Sequence, residues 1–372
     1  MKVNKQNPSK PSSSTNRRIS LEKRTYHDDD TDFVQINGKI ALNDAIDRID
    51  VMKRLEESTY AKQGFFHIWE DHQEHRSNHQ SVQTIIIAGD KCYLSEVTRP
   101  SDNDALNEFY RSFMCKWSYQ LIDHLQVDRE VVAVAFSYVD RLLERYYYCT
   151  KKVFRLAVVT SIYLAINLLS STEVPLEQVT TFCRNEYTTK MIGQMKMIIL
   201  DTFNYNLHPP TIKGFVEHLC AFLPREVSMS TKQHIIQQSY FLAELSTYDY
   251  YFVNQKSSFV AYAAIVDTVE NLNLDKFNEV SRCTFIHQMS KLLDIYSRSI
   301  SIATVQQRLD DLYKQSKQYA VDTSQDTSSS KNENCHSTGM SVNIKERYIR
   351  RCSSEVEINN IMHNNTSIRL RH

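Results

Sequence analysis

Three histidines in a polar segment have a spacing that could bind a metal ion. His72, His75 and His79 would lie on one face of a helix, where imidazole nitrogens can converge as ligands. The segment, which also contains His67, has no apolar stripe at helical spacing that would hold such a helix against a core. The sequence therefore predicts no metal site here.

The cysteines and glycines do not indicate catalysis either. Eight cysteines occur without a C-x-x-C pair, and Cys115 and Cys183 lie in apolar helical stretches, where a small buried thiol is the ordinary role. The glycines form no phosphate-binding loop. Because no acid, base and nucleophile converge in the pattern, we predict no catalytic residues, no cofactor and no enzyme.

One charged pair has a clear structural meaning. Arg111 and Asp140 are separated by an apolar run at helical spacing, which places them on neighbouring helices. A buried guanidinium needs a carboxylate partner to offset its desolvation. We therefore expect a structural ion pair between these two helices.

Composition excludes several classes of protein. The 372 residues include 44 Lys or Arg and 44 Asp or Glu, so the chain has no basic footprint for nucleic acid. We also find no signal peptide and no uncharged run of about 18 residues that could span a bilayer. Scattered cysteines suit a reducing compartment, so the expected location is the nucleus and cytoplasm.

The elements that position these residues should be helices, because six glycines and seven prolines leave many long apolar stretches uninterrupted. Pro209-Pro210 should end one helical unit and join it to the next. The pattern predicts a disordered tail over 1–39, an N-terminal helix plus irregular insert over 40–100, a five-helix unit over 101–208, a second unit over 209–318 and a disordered tail over 319–372.

Two apolar helices should form the centres of these units. Phe154–Leu168 is apolar nearly all the way round, which indicates a helix buried on every side. The alanine-rich stretch 258–270 is its counterpart in the second unit. A later helix of the first unit should begin after Thr188 or Asn185 as its cap.

The segment from 67 to 100 does not follow the helical pattern. Two β-prone runs, Ile85–Ala88 and Cys92–Leu94, flank Gly89-Asp90. Glycine supplies the positive φ that a type II′ turn requires, so a small hairpin is predicted. The alternative is a loop whose isoleucines rest on the helical body.

Two motifs resemble the opening of a cyclin box: R-S-F-M-C-K-W at 111–117 and S-Y-V-D-R-L-L at 137–143. The stretches 242–246 and 257–264 resemble a second box, although the family usually has proline where Ser257 stands. M-C-x-W-x-Y-Q at 114–120 resembles the divergent cyclins best known from diatoms. This resemblance implies an all-α fold of tandem five-helix cyclin boxes after an N-terminal helix. It also implies a regulatory subunit that binds and activates a cyclin-dependent protein kinase in cell-cycle control and cell division.

The resemblance also implies kinase-binding positions. Arg111 and Asp140 match the family's structural ion pair, and Leu156 matches a leucine on the third helix of the box. The family's lysine on that helix aligns with Asn167, and its glutamate on the fifth helix aligns with Lys196. Both usual charges are replaced, so the kinase surface should be engaged differently, match a changed partner or not be engaged.

A substrate-docking patch is the other surface that the resemblance implies. In the family an apolar strip on the first helix receives short Arg-x-Leu peptides, and an acidic residue meets the peptide arginine. The patch here comprises Tyr110, Phe113, Met114, Trp117, Gln120 and Arg155. Gln120 replaces the acidic residue and Arg155 adds a cation, so the patch should bind basic peptides poorly.

The N-terminal tail contains one further motif, Arg17-Arg18-Ile19-Ser20-Leu21. Arg18, Ser20 and Leu21 fit a minimal destruction box or a site for a basophilic kinase. Substrate peptides and ubiquitin-ligase machinery are therefore expected partners beside the kinase. A non-activating cyclin-fold scaffold is the alternative function, and a transcription-factor-IIB-like role on DNA would require a zinc ribbon and basic helices.

Overall fold

The computed structural model describes residues 30–61, 82–97, 106–146, 149–171, 174–295 and 300–325. In the first and last helices the described side chains are those from residue 42 onward and up to residue 317. These residues form eleven α-helices, a short 3₁₀ helix at Tyr250–Asn254 and one two-stranded sheet. The predicted all-α class is confirmed, with the small sheet as an addition.

The elements follow one another in this order: α1 Asp30–Glu57, β1 Val82–Ala88, β2 Lys91–Val97, α2 Glu108–Leu125, α3 Glu130–Arg145, α4 Lys151–Leu169, α5 Leu176–Phe182, α6 Thr189–Thr202, α7 Ile212–Cys220, α8 Met229–Tyr248, α9 Ser257–Glu270, α10 Glu279–Leu292 and α11 Ile300–Gln325. The side-chain contacts described below lie in the compact unit that begins at Asp44.

Helix α4 is the centre of the first helical group. It packs against α3 and α6, and its Ala157 and Ala165 have no exposed surface, so the neighbouring backbones can approach closely. The Thr150 side chain caps α4 by accepting a hydrogen bond from the Val153 amide. Thr188, one of the two caps that the sequence predicted, caps α6 in the same way.

Helix α4 is also long and apolar enough to cross a membrane by length and composition alone. Two thirds of its apolar window are buried inside the protein (67%). A core helix packed on all sides has this same composition. The burial therefore accounts for the hydropathy of α4.

Helix α9 is the centre of the second helical group. It packs against α7, α8, α10 and α11, and Ala261, Ala263 and Ala264 on it have no exposed surface. The small side chains leave room for helices on several sides, as in α4. Residues 212–325 thus contain five helices around an alanine-rich centre, and their equivalence to a second cyclin box stays a prediction.

The insert contains the predicted hairpin. Strands β1 and β2 pair antiparallel, and Gly89 opens the turn at φ +60°, a conformation that side chains disfavour. The hairpin is fastened to α6 by two contacts. The Cys92 amide donates to Gln194 Oε1 at 2.9 Å, and Lys190 Nζ lies 2.8 Å from Asp90 Oδ2.

The two predicted tail boundaries are shifted in the structure. Helix α1 begins at Asp30, inside the predicted tail 1–39, and α11 runs to Gln325, past the predicted start at 319. Acidic residues at 30 and 32 favour a helix N-terminus, a signal that the apolar pattern does not contain. The motif at Arg18, Ser20 and Leu21 and the histidines from 67 to 79 lie outside the described residues.

Candidate functional site

Arg111 and Asp140 form a two-pronged ion pair between α2 and α3. Arg111 Nη2 lies 2.7 Å from Asp140 Oδ2, and Nε lies 2.9 Å from Oδ1. The side chains are 3% and 14% exposed. The Arg111 Nη1 also donates to the Thr247 carbonyl at 3.0 Å, and its guanidinium lies 5.1 Å from the Phe136 ring centre. The pair therefore joins three helices, α2, α3 and α8.

Burial and charge act in opposite directions on this guanidinium. Burial is the largest single effect and lowers the pKa of Arg111, but the charge of Asp140 and its hydrogen bonds, with smaller contributions from Cys115 and Tyr250, leave the net pKa shift upward. Arg111 thus stays charged, and every one of its three contacts is with a group that satisfies that charge or its N–H donors. This arrangement holds helices together and leaves no free group for chemistry.

The predicted kinase-binding residues differ in exposure. Leu156 has no exposed surface, so it cannot touch a partner and serves as core packing. This corrects its assignment to a binding surface; the physical reason is that α4 is buried on the side where Leu156 lies. Asn167 is exposed near the end of α4, and Lys196 on α6 is half-buried, with Nζ 5.9 Å from the Tyr163 ring centre.

Tyr163 and Asn167 are one helical turn apart on α4, and the cation of Lys196 approaches Tyr163 from α6. The geometry therefore assembles an aromatic ring, an amide and an ammonium group on the surface where α4 and α6 meet. Such a surface is suited to an acidic or amide-bearing partner face.

The predicted docking patch is more deeply buried than the sequence suggested. Tyr110 and Trp117 are 7% and 8% exposed, and Met114 is 1% exposed. Met114 therefore belongs to the core and cannot receive a peptide, because its position on α2 points it into the first helical group. Phe113 and Gln120 are half-buried and stay at the rim.

Arg155 has a different role from the free cation that the sequence suggested. Its Nη1 lies 2.5 Å from Glu186 Oε2, and its Nη2 donates to the Tyr110 hydroxyl at 2.8 Å. The carboxylate compensates the added charge, so repulsion of basic peptides by Arg155 is weakened. Lys151 lies nearby, with Nζ 5.7 Å from the Tyr110 ring centre.

The structure adds contacts from α1 that the sequence analysis missed. Glu56 is 4% exposed, and its carboxylate accepts hydrogen bonds from the Ser258 amide at 3.0 Å and the Ser258 hydroxyl at 2.6 Å. The N-cap residue of α9, Lys256, makes no side-chain cap of its own. Glu56 therefore caps α9 from another helix, where a negative charge is favourable.

Arg141 makes a second link that the sequence did not reveal. Its guanidinium lies 4.5 Å from the Tyr60 ring centre and 4.0 Å from the Phe203 ring centre. It thus joins the chain after α1 to the end of α6. No spacing rule pairs residues so distant in the chain, so only a structure can find such contacts.

The two cysteines predicted to be small buried thiols are buried in the structure. Cys115 and Cys183 are buried, and burial raises the pKa of the Cys183 thiol to about 12 and that of Cys115 further. Such thiols are protonated and poor nucleophiles. Within the described part of the chain, no group of three or more His, Cys, Asp or Glu side chains is placed to hold a metal ion.

Comparison with known proteins identifies the family that this chain is similar to. Residues 79–208 match the family model of the cyclin N-terminal domain. The G1/S-specific cyclin-D1 of Mus musculus is 22% identical over 173 residues, 46% of this chain and 58% of that protein. Cyclin-B2-1 of Oryza sativa subsp. japonica is 27% identical over 165 residues, 44% of this chain and 38% of that protein.

The alignments thus cover less than two thirds of the length of these relatives. A viral cyclin structure from herpesvirus saimiri is similar at a TM-score of 0.46 and 14% identity, over 56% of this chain and 87% of that one. The matched stretch 79–208 contains the hairpin, the Arg111–Asp140 pair and the surface formed by α4 and α6.

Proposed function

This chain belongs to the cyclin family, and from that membership we propose that it binds and activates a cyclin-dependent protein kinase in cell-cycle control. Its role is regulatory, and it carries out no chemistry itself. We extend the proposal to a location in the nucleus and cytoplasm. Substrate peptides and ubiquitin-ligase machinery are further proposed partners.

One observation supports a kinase-binding role most strongly. The family resemblance matches Asn167 and Lys196 to kinase-contacting positions, and both side chains reach solvent on the surface where α4 and α6 meet. The buried Arg111–Asp140 pair fastens the first helical group beneath that surface. A regulatory subunit requires a rigid set of helices that presents accessible contact residues.

The charges at this surface suggest a changed partner. Where the family has a lysine and a glutamate, this chain has a neutral amide and a cation, so the surface gains positive charge at the second position. The kinase should therefore present an acidic group opposite Lys196. The same loss of usual charges favours the alternative function, a scaffold that uses the cyclin fold without activating a kinase.

A pull-down with the tagged full chain, followed by identification of kinases, tests the proposal directly. The variant Asn167→Lys with Lys196→Glu restores the usual charges. If the native kinase matches the present surface, the double variant should bind it about tenfold more weakly and stimulate it less. The control is Lys152→Glu, which repeats the charge reversal of Lys196→Glu at an exposed site near the start of α4.

The outcomes separate the two functions. Loss of binding in the double variant but not in the control supports the proposed surface. A kinase that binds equally well to both variants would show that α4 and α6 are not its contact. Partners without any kinase, and no stimulation of kinase activity, would favour the scaffold.

A further inference from the structure

A cavity of about 580 Å³ opens at the junction of the two helical groups, and no residue of α4 or α6 lines it. Its walls come from the end of α2, the turn before α3, the start of α7 and the middle of α8. This volume lies within the range of about 300–1,000 Å³ that is typical of ligand pockets in proteins. Neither the sequence analysis nor the family match assigns a role to it.

One wall of the cavity is a rigid charged cluster around Arg129. Its guanidinium contacts Asp123 at 2.5 Å and Glu244 at 3.0 Å, and it lies 4.5 Å from the Tyr119 ring centre. The ion-paired side chains are only 16–18% exposed. Tyr119 in turn stacks on Tyr248, with the two ring centres 5.2 Å apart. These contacts hold the wall in place before any ligand binds.

A second charged cluster in the lining repeats the arrangement with Lys213. Its Nζ lies 2.8 Å from Asp128 and 3.4 Å from Glu130, and 5.6 Å from the ring centre of Tyr240. Each of the two cations is thus shared by two carboxylates. The lining residues contain four carboxylates and two cations, so the cavity has an excess of two negative charges.

The lining also contains apolar groups. Val127, Ala133, Ile212 and Ala243 line the cavity together with the Tyr240 ring. A ligand that matches this lining must carry positive charge and apolar groups side by side. An aromatic ring beside carboxylates is a further favourable site for a cation.

We propose that this cavity binds a short peptide segment of a partner protein in which a lysine or arginine is flanked by apolar residues. The basic side chain lies among Asp128, Glu130 and the Tyr240 ring, and its neighbours contact the apolar lining residues. The surplus of carboxylates disfavours phosphorylated and acidic peptides. This docking site goes beyond the proposed kinase contact, since it lies on different helices.

The test uses the full chain and three immobilised pools of random hexapeptides, whose fixed central residue is arginine, glutamine or glutamate. The arginine pool should bind best, and its binding should fall as salt is raised. Asp128→Asn keeps the oxygen that accepts from the Glu130 amide but removes the charge, and should weaken binding about three- to fivefold. Asp128→Lys should weaken it about tenfold or more.

Two further variants make the test specific to the cavity. Gln237 lines the cavity and is exposed, so Gln237→Glu adds a carboxylate and should tighten binding about two- to threefold. Asp275→Lys makes the same charge change as Asp128→Lys in the exposed loop before α10 and should have no effect. Unchanged circular dichroism spectra establish that each variant is folded.

Three results would overturn the proposal. The first is equal binding of the arginine and glutamine pools. The second is an equal loss of binding in Asp128→Lys and Asp275→Lys, which would show a non-specific effect of net charge. The third is displacement of the arginine pool by spermidine together with no preference for apolar flanking residues, which would identify a polyamine site instead.

Discussion

Replacing Asp140 by alanine should destabilise the protein strongly, because it leaves the Arg111 guanidinium buried without its carboxylate. Arg111 is 3% exposed and cannot reach water without a movement of α2. Two of its three hydrogen-bonding contacts are with Asp140, and only the bond to the Thr247 carbonyl and the Phe136 ring remain.

The expected magnitude follows from these contacts. Breaking a buried ion pair by removing one partner typically costs about 3–5 kcal/mol. The remaining carbonyl and ring contacts place the expected loss near the lower end, at about 3 kcal/mol. Because a native protein is stable by only about 5–15 kcal/mol, this is a large fraction of the free energy of unfolding. The double variant Arg111→Met with Asp140→Ala should recover part of the loss, since it removes the stranded charge.

Urea unfolding followed by far-UV circular dichroism measures this free energy for each variant. The control is Asp90→Ala, which removes one partner of an ion pair on the hairpin whose side chains are 51% and 59% exposed, and should leave the midpoint nearly unchanged. A loss below about 1 kcal/mol in Asp140→Ala, the size expected of an exposed pair, would refute the argument from burial.

Variants at three other sites test features elsewhere in the structure. Glu56→Ala should cost about 1–2 kcal/mol in urea unfolding because it leaves the Ser258 amide without an acceptor, and Glu56→Gln should cost less. Burial, with the nearby Asp310 charge, raises the pKa of Asp267 from 3.8 to about 6, so stability should fall as the pH rises from about 4 to 6. Asp267→Asn should flatten this pH dependence. At pH 7 it should raise the free energy of unfolding by about 1 kcal/mol, a value reduced because Asp267 is partly exposed. An unchanged dependence of stability on pH would contradict this prediction. Gly89→Val should destabilise the hairpin by about 1–2 kcal/mol, because Gly89 has a φ of +60°. The loss should appear as faster hydrogen exchange of the Cys92 amide. Protection of this amide equal to that in the unmodified chain would contradict the prediction.

Local patterns in the sequence determined the helices and the turn. The apolar residues from Phe154 to Leu168 recur at helical spacing, and the structure has α4 there. Thr188 caps α6 through its own side chain, three residues from the amide that it meets. Gly89 permits the positive φ of the hairpin turn. Each of these features depends on residues close together in the chain, which is why the pattern alone was sufficient.

Only the tertiary structure decided which of the predicted binding residues are exposed. The family resemblance assigned Leu156 and Met114 to binding surfaces, but packing of neighbouring helices covers both. Spacing reveals which face of a helix is apolar, and it does not reveal whether another helix lies on that face.

The sequence did not predict the polar contacts between residues far apart in the chain either. Glu56 meets Ser258 across 202 positions, and Arg129 meets Glu244 across 115. Arg155 acquires its carboxylate from Glu186, on the segment between α5 and α6. Such pairs form only where crossing helices bring two distant residues together. They therefore stabilise the protein only after the helical groups have packed.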